Sequence, residues 1–385
     1  MRLSAHSRWG SLPACLMAAA TVLSAQSLVH EGTRWVQTLT GTAPAIPRLR
    51  VDCQGPVHLE AGAANEFAYT ARLSVAARTE AEARRILARS AIRAGASGDL
   101  WVLSAGGGPI TVDLFVQAPR LAAATIATSE GTVEANGVDG TLSVESGAGE
   151  VKCDRIRGGA RLTTGGGDIK VGEVDGGLRG STGGGRITAK NVRGDAVLET
   201  AGGDIEVTNV SGSVRADTAG GAVRVATAGG SVTASTGGGP IVIGKAGGIV
   251  ISRNMAGPVR IDAASGVRSE SGTGAIRLTN IAGSMRVSTA VGSIIASLLG
   301  GSPFSDSFLA TGNGDITVLI PSNLGVTIRA ENDLADSPRR IVSDFPGVPV
   351  RMRGMQVVAE GPVNGGGPLL RITGTGGTIF IKRQP

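Results

Sequence analysis

A repeat of 18 residues runs through this chain and limits its possible folds more than any other feature of the sequence. The segments GGGDIKV at 165–171, GGGRITA at 183–189 and AGGDIEV at 201–207 follow one another at that step. An aliphatic anchor marks each of eleven copies, and eight of the ten steps are 18 residues, one is 17 and the last is 22. The anchors are Val133, Val151, Ile169, Ile187, Ile205, Val223, Ile241, Val259, Ile276, Ile294 and Ile316. Such a period is typical of stacked repeat architectures.

Other positions keep the same register. Glycine lies two residues before every anchor and again seven residues after each of the first ten. Threonine, serine or asparagine lies five residues before every anchor. Glycine permits sharp corners where the backbone needs a positive φ or a close approach. A hydroxyl beside such a corner is expected to bond the turn backbone or the neighbouring coil, which is a structural role.

Within each unit, apolar and polar residues alternate as in half-buried strands. Val214, Ala216 and Thr218 would point inward, whereas Arg215 would point outward. One unit cannot bury its own apolar face, but a stack of units can. The sequence therefore predicts an all-β, single-chain parallel β-solenoid, similar to a β-helix or β-roll, with about eleven coils.

The chain divides around this repeat into five segments. We expect a β cap on each side, because an exposed solenoid end would leave unpaired strand edges. A helix is expected near 80–89 within the first cap, and the C-terminal cap is expected to continue the solenoid. The predicted segments are a signal peptide at 1–25, a linker at 26–45, an N-terminal cap at 46–116, the solenoid at 117–316 and a C-terminal cap at 317–385.

The first 25 residues have the pattern of an export signal. Arg2 and Arg8 give a basic start, Leu12–Leu23 is apolar, and Ser24 and Ala25 offer a cleavage site. Cleavage would lower the net charge from +6 to +4, because two arginines and no acid are removed. So small a charge gives no reason to expect nucleic acid as a partner. No run of 18 apolar residues occurs, so we expect no transmembrane segment in the mature chain.

Composition excludes some fold classes and limits the width of the core and the roles open to cysteine and histidine. Glycine supplies 61 residues but without a Gly-X-Y period, which excludes collagen, and a hydrophobic content of 41% argues against disorder. No aromatic residue lies between Phe115 and Phe304, so the core must be narrow. An exported protein can form a disulfide, but Cys153 falls on an inward position, which favours separate buried thiols for Cys53 and Cys153. His30 and His58 are expected to be isolated surface or linker residues.

Acidic residues raise the possibility of an enzyme. Asp168 and Asp204 share one predicted position two coils apart, or about 9.6 Å at the spacing of strands in a sheet. That lies at the edge of the range for the carboxylate pair of an inverting glycosidase. Arg186 lies between them, and this favours a stabilising charge stack. We therefore expect no catalytic residue.

No motif predicts a cofactor or a metal. Asp168, Asp204 and Asp315 lie immediately before anchors, whereas the aspartates of calcium-binding β-rolls lie two residues before. Gly239–Ala246 (GPIVIGKA) is one residue short of a phosphate-binding loop and lacks its Ser or Thr.

One outward position carries a broken line of arginines, eight residues before the anchors. Val197, Thr233 and Ile251 interrupt it. The line is either an ordinary solvated face or a contact surface for an anionic envelope polymer or membrane surface. The arginines are Arg161, Arg179, Arg215, Arg268 and Arg286.

The end of the chain carries a more specific pattern. Ser343–Pro346 (SDFP) precedes Asn364–Ile372 (NGGGPLLRI) and the final Gly376–Ile379 (GGTI). Together with the coils, roughly residues 50–383 resemble a bacterial β-strand-repeat family, described as a putative adhesin domain of unknown function. The resemblance implies an exported or envelope-associated β-solenoid, and it brings no catalytic residues.

These features predict a non-enzymatic exported solenoid that serves as an envelope interaction or adhesion-type module. Its partner would be an envelope protein, a glycan or an anionic polymer, in the periplasm, at the outer envelope or outside the cell. The alternatives are a β-helix carbohydrate-active enzyme for acidic polysaccharide and an envelope-stress or assembly scaffold.

Overall fold

The computed structural model describes residues 24–25, 27–89, 92–301, 303–333 and 340–384. These residues form 37 strands and one helix, arranged as a parallel β-solenoid, so the predicted fold class is confirmed. The predicted signal peptide lies outside the described residues except for Ser24 and Ala25, whose backbone forms a short strand against Leu39 and Thr40.

The N-terminal cap contains nine strands and the helix. Thr79 caps the helix by accepting the backbone N–H of Glu82 at 3.3 Å, and the Glu82 carboxylate accepts the N–H of Arg78 at 3.0 Å. The elements are β1 (Ser24–Ala25), β2 (Val29–Glu31), β3 (Arg34–Ala43), β4 (Arg48–Cys53), β5 (Val57–Ala61), β6 (Phe67–Val75), α1 (Glu80–Leu87), β7 (Arg93–Ser97), β8 (Leu100–Ala105) and β9 (Ile110–Ala118).

Each of the eleven repeats supplies one strand to each of two parallel sheets. The first strands form the arginine sheet: β10 (Ala123–Thr128), β12 (Thr141–Ser146), β14 (Ala160–Thr164), β16 (Leu178–Thr182), β18 (Ala196–Thr200), β20 (Val214–Thr218), β22 (Val232–Thr236), β24 (Ile249–Ala256), β26 (Gly266–Thr273), β28 (Met285–Val291) and β30 (Ser307–Asn313). The second strands form the anchor sheet: β11 (Val133–Asn136), β13 (Val151–Asp154), β15 (Ile169–Val174), β17 (Ile187–Val192), β19 (Ile205–Val210), β21 (Val223–Ala228), β23 (Ile241–Ala246), β25 (Val259–Ala263), β27 (Ile276–Ile281), β29 (Ile294–Leu298) and β31 (Ile316–Ile320).

The repeats stack in register. Ile187 lies opposite Ile205, and Ile205 lies opposite Val223. All three side chains are fully buried, as is Ala216 on the facing sheet. The stack therefore builds continuous aliphatic columns inside a thin core.

Both ends are closed by a coil that is out of sequence order. At the start, β4 and β5 lie between the outer strands β8 and β9 and the first repeat strands β10 and β11. At the other end, β36 and β37 lie between the last repeat, β30 and β31, and the outer strands β32 and β33. The C-terminal strands are β32 (Val326–Asn332), β33 (Ile341–Ser343), β34 (Val350–Arg353), β35 (Gln356–Val363), β36 (Leu369–Gly374) and β37 (Ile379–Arg383).

Within the segment 26–45, expected as a linker, residues Val29–Glu31 and Arg34–Ala43 form strands. The segment Arg34–Ala43 pairs along its length with Phe67–Val75. Gly41 makes this possible, because a side chain there would overlap the ring of Tyr69. The strand continues the anchor sheet beyond β6.

The hydroxyl column, which is the position five residues before each anchor, ties the middle coils to one another. The Thr200 hydroxyl donates to the Gly185 carbonyl of the preceding coil at 3.0 Å and accepts the Gly203 N–H at 3.2 Å. The structural role expected for this column is therefore confirmed. The same pair of bonds recurs at Thr164, Thr182, Thr218 and Thr236.

Close approach between coils explains the corner glycines of the middle repeats. A methyl group on Gly185 would overlap the backbone carbonyl of Gly167 in the coil below, although φ at Gly185 is not positive. The adjacent Gly184 has no atom within 4 Å of the same position. Close packing against the neighbouring coil therefore requires glycine at 185 but not at 184.

This difference gives a matched test of the stacking. Gly185→Ala should lower the free energy of unfolding by about 1–3 kcal/mol, because the two coils must separate to admit the methyl group. Gly184→Ala should change it by less than about 0.5 kcal/mol. Urea unfolding followed by circular dichroism measures both, and equal losses would contradict the stacking explanation.

Candidate functional site

The predicted arginines form one outward column of the arginine sheet. Arg161 lies opposite Arg179 in the next coil, and Arg268 lies opposite Arg286. Arg215 stands alone between Val197 and Thr233. All of these arginines are exposed. The structure thus divides the predicted line into two pairs and a single residue.

The column continues into the end coils, where the sequence analysis missed it. Arg50 lies opposite Thr125 at the start. At the other end, Arg286 is followed by Phe308 and then by Arg371. The sequence contains a signal for Phe308 and Arg371. Phe308 lies eight residues before the anchor Ile316, and Arg371 lies eight residues before Ile379.

Ion pairs neutralise only part of the column. Arg215 pairs with Asp217 at 2.8 Å, and Arg50 pairs with Asp52 at 3.0 Å. Arg371 lies 3.5 Å from Glu331. Within the described part of the chain, no carboxylate lies within 4.0 Å of the other four arginines, which are Arg161, Arg179, Arg268 and Arg286. Each of these two pairs of neighbouring arginines is therefore exposed without a carboxylate in ion-pair contact.

The second pair lies in a groove of about 840 Å³. Arg268, Arg286 and Arg371 line it together with the partly exposed Phe308 and with Ile249, which is 50% exposed. Ile251, Asp306 and Thr373 are further lining residues. Arg371 has Glu331 at 3.5 Å, so the positive charge of the groove comes from Arg268 and Arg286, with Asp306 as the acid in its lining.

Two irregular steps of the repeat shape this groove. The step of 17 residues removes one position at the corner before β26, and the step of 22 adds four positions at the corner before β30. Both corners lead into the arginine sheet. The longer corner is held by Ser307, whose hydroxyl accepts the Met285 N–H at 3.0 Å and donates to the Ser305 carbonyl at 2.8 Å. The groove is therefore built by the departure from periodicity.

The aspartates immediately before the anchors, here called the acidic column, accept hydrogen bonds from backbone N–H groups. Asp168 accepts the backbone N–H of Arg186 at 2.8 Å, and Asp204 accepts that of Ala222 at 2.8 Å. The Arg186 guanidinium lies 3.2 Å from Asp204, and this forms part of the expected charge stack. Asp315 accepts the backbone N–H of Thr378 at 2.8 Å. Each carboxylate thus fastens its corner to the next coil.

Other candidate motifs also have structural positions. The residues Ile241–Ala246 of the near-match to a phosphate-binding loop form a β-strand. No group of three or more His, Cys, Asp or Glu suited to a metal ion occurs among the residues described. In that same part of the chain, no helix is long and apolar enough to cross a membrane.

His58 is not isolated, contrary to the sequence analysis. Its ring stacks on Phe115 with centroids 4.6 Å apart, and its nitrogens lie 3.2 Å from Glu134 and 3.5 Å from Asp113. The Lys152 ammonium, 3.0 Å from Glu134, is the main cause that lowers the pKa of that carboxyl, and His58 adds to it. This cluster joins the cap to the first repeat. His30 lies beside Trp35, with centroids 4.6 Å apart.

Cys53 and Cys153 are free and buried, as the sequence analysis favoured. Cys153 lies between Ala135 and Val171 in the anchor sheet, whereas Cys53 lies in the arginine sheet between Ala105 and Thr128. Burial raises the pKa of both thiols to about 12. Both are therefore poor nucleophiles in the folded protein.

Comparison with known proteins assigns the chain to no family. No family model and no curated protein matches the chain. One similar solved structure is a putative adhesin from Bacteroides fragilis NCTC 9343, with 13% identity and a TM-score of 0.27, covering 70% of this chain and 96% of that one. Another is a putative cell adhesion protein from Clostridium sporogenes ATCC 15579, with 10% identity and a TM-score of 0.17, covering 90% of this chain and 99% of that one. Similarity at this level assigns no function to the chain.

Thiol labelling tests the burial of the cysteines. At about pH 8 a thiol of pKa 12 is ionised in about one molecule in ten thousand. We predict that iodoacetamide modifies Cys53 and Cys153 at least about 100-fold more slowly in native protein than in urea-unfolded protein. Peptide mass spectrometry reads out each site separately, and rapid native labelling of either cysteine would contradict its buried position.

Proposed function

We propose that this chain is an exported, non-enzymatic, adhesion-type recognition module that binds an anionic envelope polymer through its arginine sheet. The observation that carries the proposal is the groove in which Arg268 and Arg286 stand side by side without a carboxylate partner. Export rests on the basic and apolar pattern of residues 1–25.

Electrostatics supports an anion at this position. Like charges that lie directly opposite on neighbouring strands repel one another. An anionic group bound between Arg268 and Arg286 offsets that repulsion and matches the donor fork of each guanidinium. Arg371, next in the column after Phe308, extends the cationic surface along the solenoid axis.

The use of the acidic column supports the absence of catalysis. In both Asp168 and Asp204, one carboxylate oxygen accepts a hydrogen bond from a backbone N–H of the next coil. A carboxylate oxygen that holds a corner of the fold in this way is not free to contact a substrate. A scaffold that pairs through open solenoid ends is less favoured, because out-of-order coils and antiparallel strands cover both ends.

The binding site can be tested with two double variants of equal charge change. Arg268→Gln with Arg286→Gln should weaken binding to polygalacturonate at least about tenfold, because two charge-assisted contacts are lost. Arg161→Gln with Arg179→Gln removes the same charge from the same column outside the groove, and it should weaken binding less than about threefold. Titration calorimetry at fixed ionic strength measures both. Equal effects would show that general attraction, not the groove, governs binding.

The catalytic alternative has its own test. The wild-type chain incubated with polygalacturonate should release no new reducing ends and no unsaturated uronate. An activity that disappears in Asp168→Asn and Asp204→Asn would overturn the non-enzymatic proposal.

A further inference from the structure

We infer that the polymer recognised by the groove is an acidic polysaccharide, and that one face of a sugar ring rests on Phe308. This inference depends on the proposed function and specifies its ligand. Along the column, the side chains that line the groove follow the order Ile251, Arg268, Arg286, Phe308 and Arg371.

In that order a pair of adjacent arginines lies between two apolar residues along the solenoid axis, and Arg371 follows Phe308. Successive side chains are about 4.8 Å apart, the spacing of strands in a sheet. A polyuronate carries carboxylates beside ring faces made largely of C–H groups. Its carboxylates suit Arg268 and Arg286, and a ring face suits Phe308.

Part of the Phe308 side chain reaches the groove. The side chain is of intermediate exposure, and both of its neighbours in the column are arginines. The cation–π contacts among the described residues are those of Lys382 with Phe380 and of Arg383 with Phe345. Within the described residues, the Phe308 ring therefore has no cation–π partner. Ile249, half exposed at the same groove, adds apolar surface on the far side of Arg268.

Asp306 favours an acidic sugar over a polyanion that has no hydroxyl groups. One of its carboxylate oxygens accepts the Leu369 N–H at 2.9 Å, and the other is directed to no donor within the described chain. A sugar hydroxyl can donate to that second oxygen. A polyphosphate has neither hydroxyl donors nor an apolar face, so it would be repelled by Asp306 and would gain nothing from Phe308.

A membrane surface fits the groove less well. The arginines stand beside a recess of about 840 Å³ with a carboxylate in its wall. A flat anionic bilayer would favour a protruding basic patch without an acid. We therefore assign the groove to a polysaccharide chain.

The test compares two probes and two phenylalanine variants. Phe308→Ala should weaken binding of polygalacturonate by about tenfold and change binding of polyphosphate by less than about twofold. The matched control is Phe380→Ala, which removes a partly exposed ring from the anchor sheet and should leave polygalacturonate binding unchanged. Phe308→Leu, which preserves apolar volume, should bind polygalacturonate more weakly than wild type. Thermal unfolding confirms that each variant is folded.

The outcomes separate this inference from the proposed function. If Phe308→Ala leaves polygalacturonate binding intact while the Arg268→Gln, Arg286→Gln variant weakens it, the sugar contact is wrong and the anionic site remains. If the arginine variant binds both probes like wild type, the proposed function itself fails. Tighter binding to vesicles of phosphatidylglycerol and phosphatidylcholine than to polygalacturonate would also overturn the assignment to a sugar.

Discussion

The structure depends on register between successive coils. Corner glycines let one coil approach the next, and the hydroxyl column fixes the contact by donating to the carbonyl of the coil before. Because that contact recurs through the middle coils and the strands keep their register throughout, each sequence position becomes a column along the solenoid. The interior columns are aliphatic and give stability. The exterior columns set the charges that a partner meets.

The same constraint explains where a binding site can arise. A perfectly regular solenoid presents flat faces, on which long side chains are solvated and acids neutralise bases, as Arg215 and Asp217 do. A recess needs a break in the period. The shortened and lengthened corners provide one beside Arg268 and Arg286, and the out-of-order final coil brings Arg371 to the same place. The groove thus joins residues more than 100 positions apart in the chain.

Much of this could be read from the sequence. The period of 18 residues predicted the fold, the inward and outward positions, the hydroxyl column and the arginine column, since all of these follow from local alternation and regular stacking. What it missed depends on contacts between distant segments. The period gives no signal for the out-of-order positions of β4–β5 and β36–β37 in the stack, for the pairing of Arg34–Ala43 with β6, or for the contact of His58 with Asp113. Phe308 and Arg371 were within reach, because they keep the spacing of eight residues to an anchor.

A crystal structure of the chain with an oligogalacturonate bound would test the central claim most directly. The account predicts a sugar chain lying along the solenoid axis, with carboxylates at Arg268 and Arg286 and a ring face against Phe308. Density for the sugar on the flat part of the column near Arg161 and Arg179, or on the anchor sheet, would contradict the claim that the break in the repeat creates the recognition site.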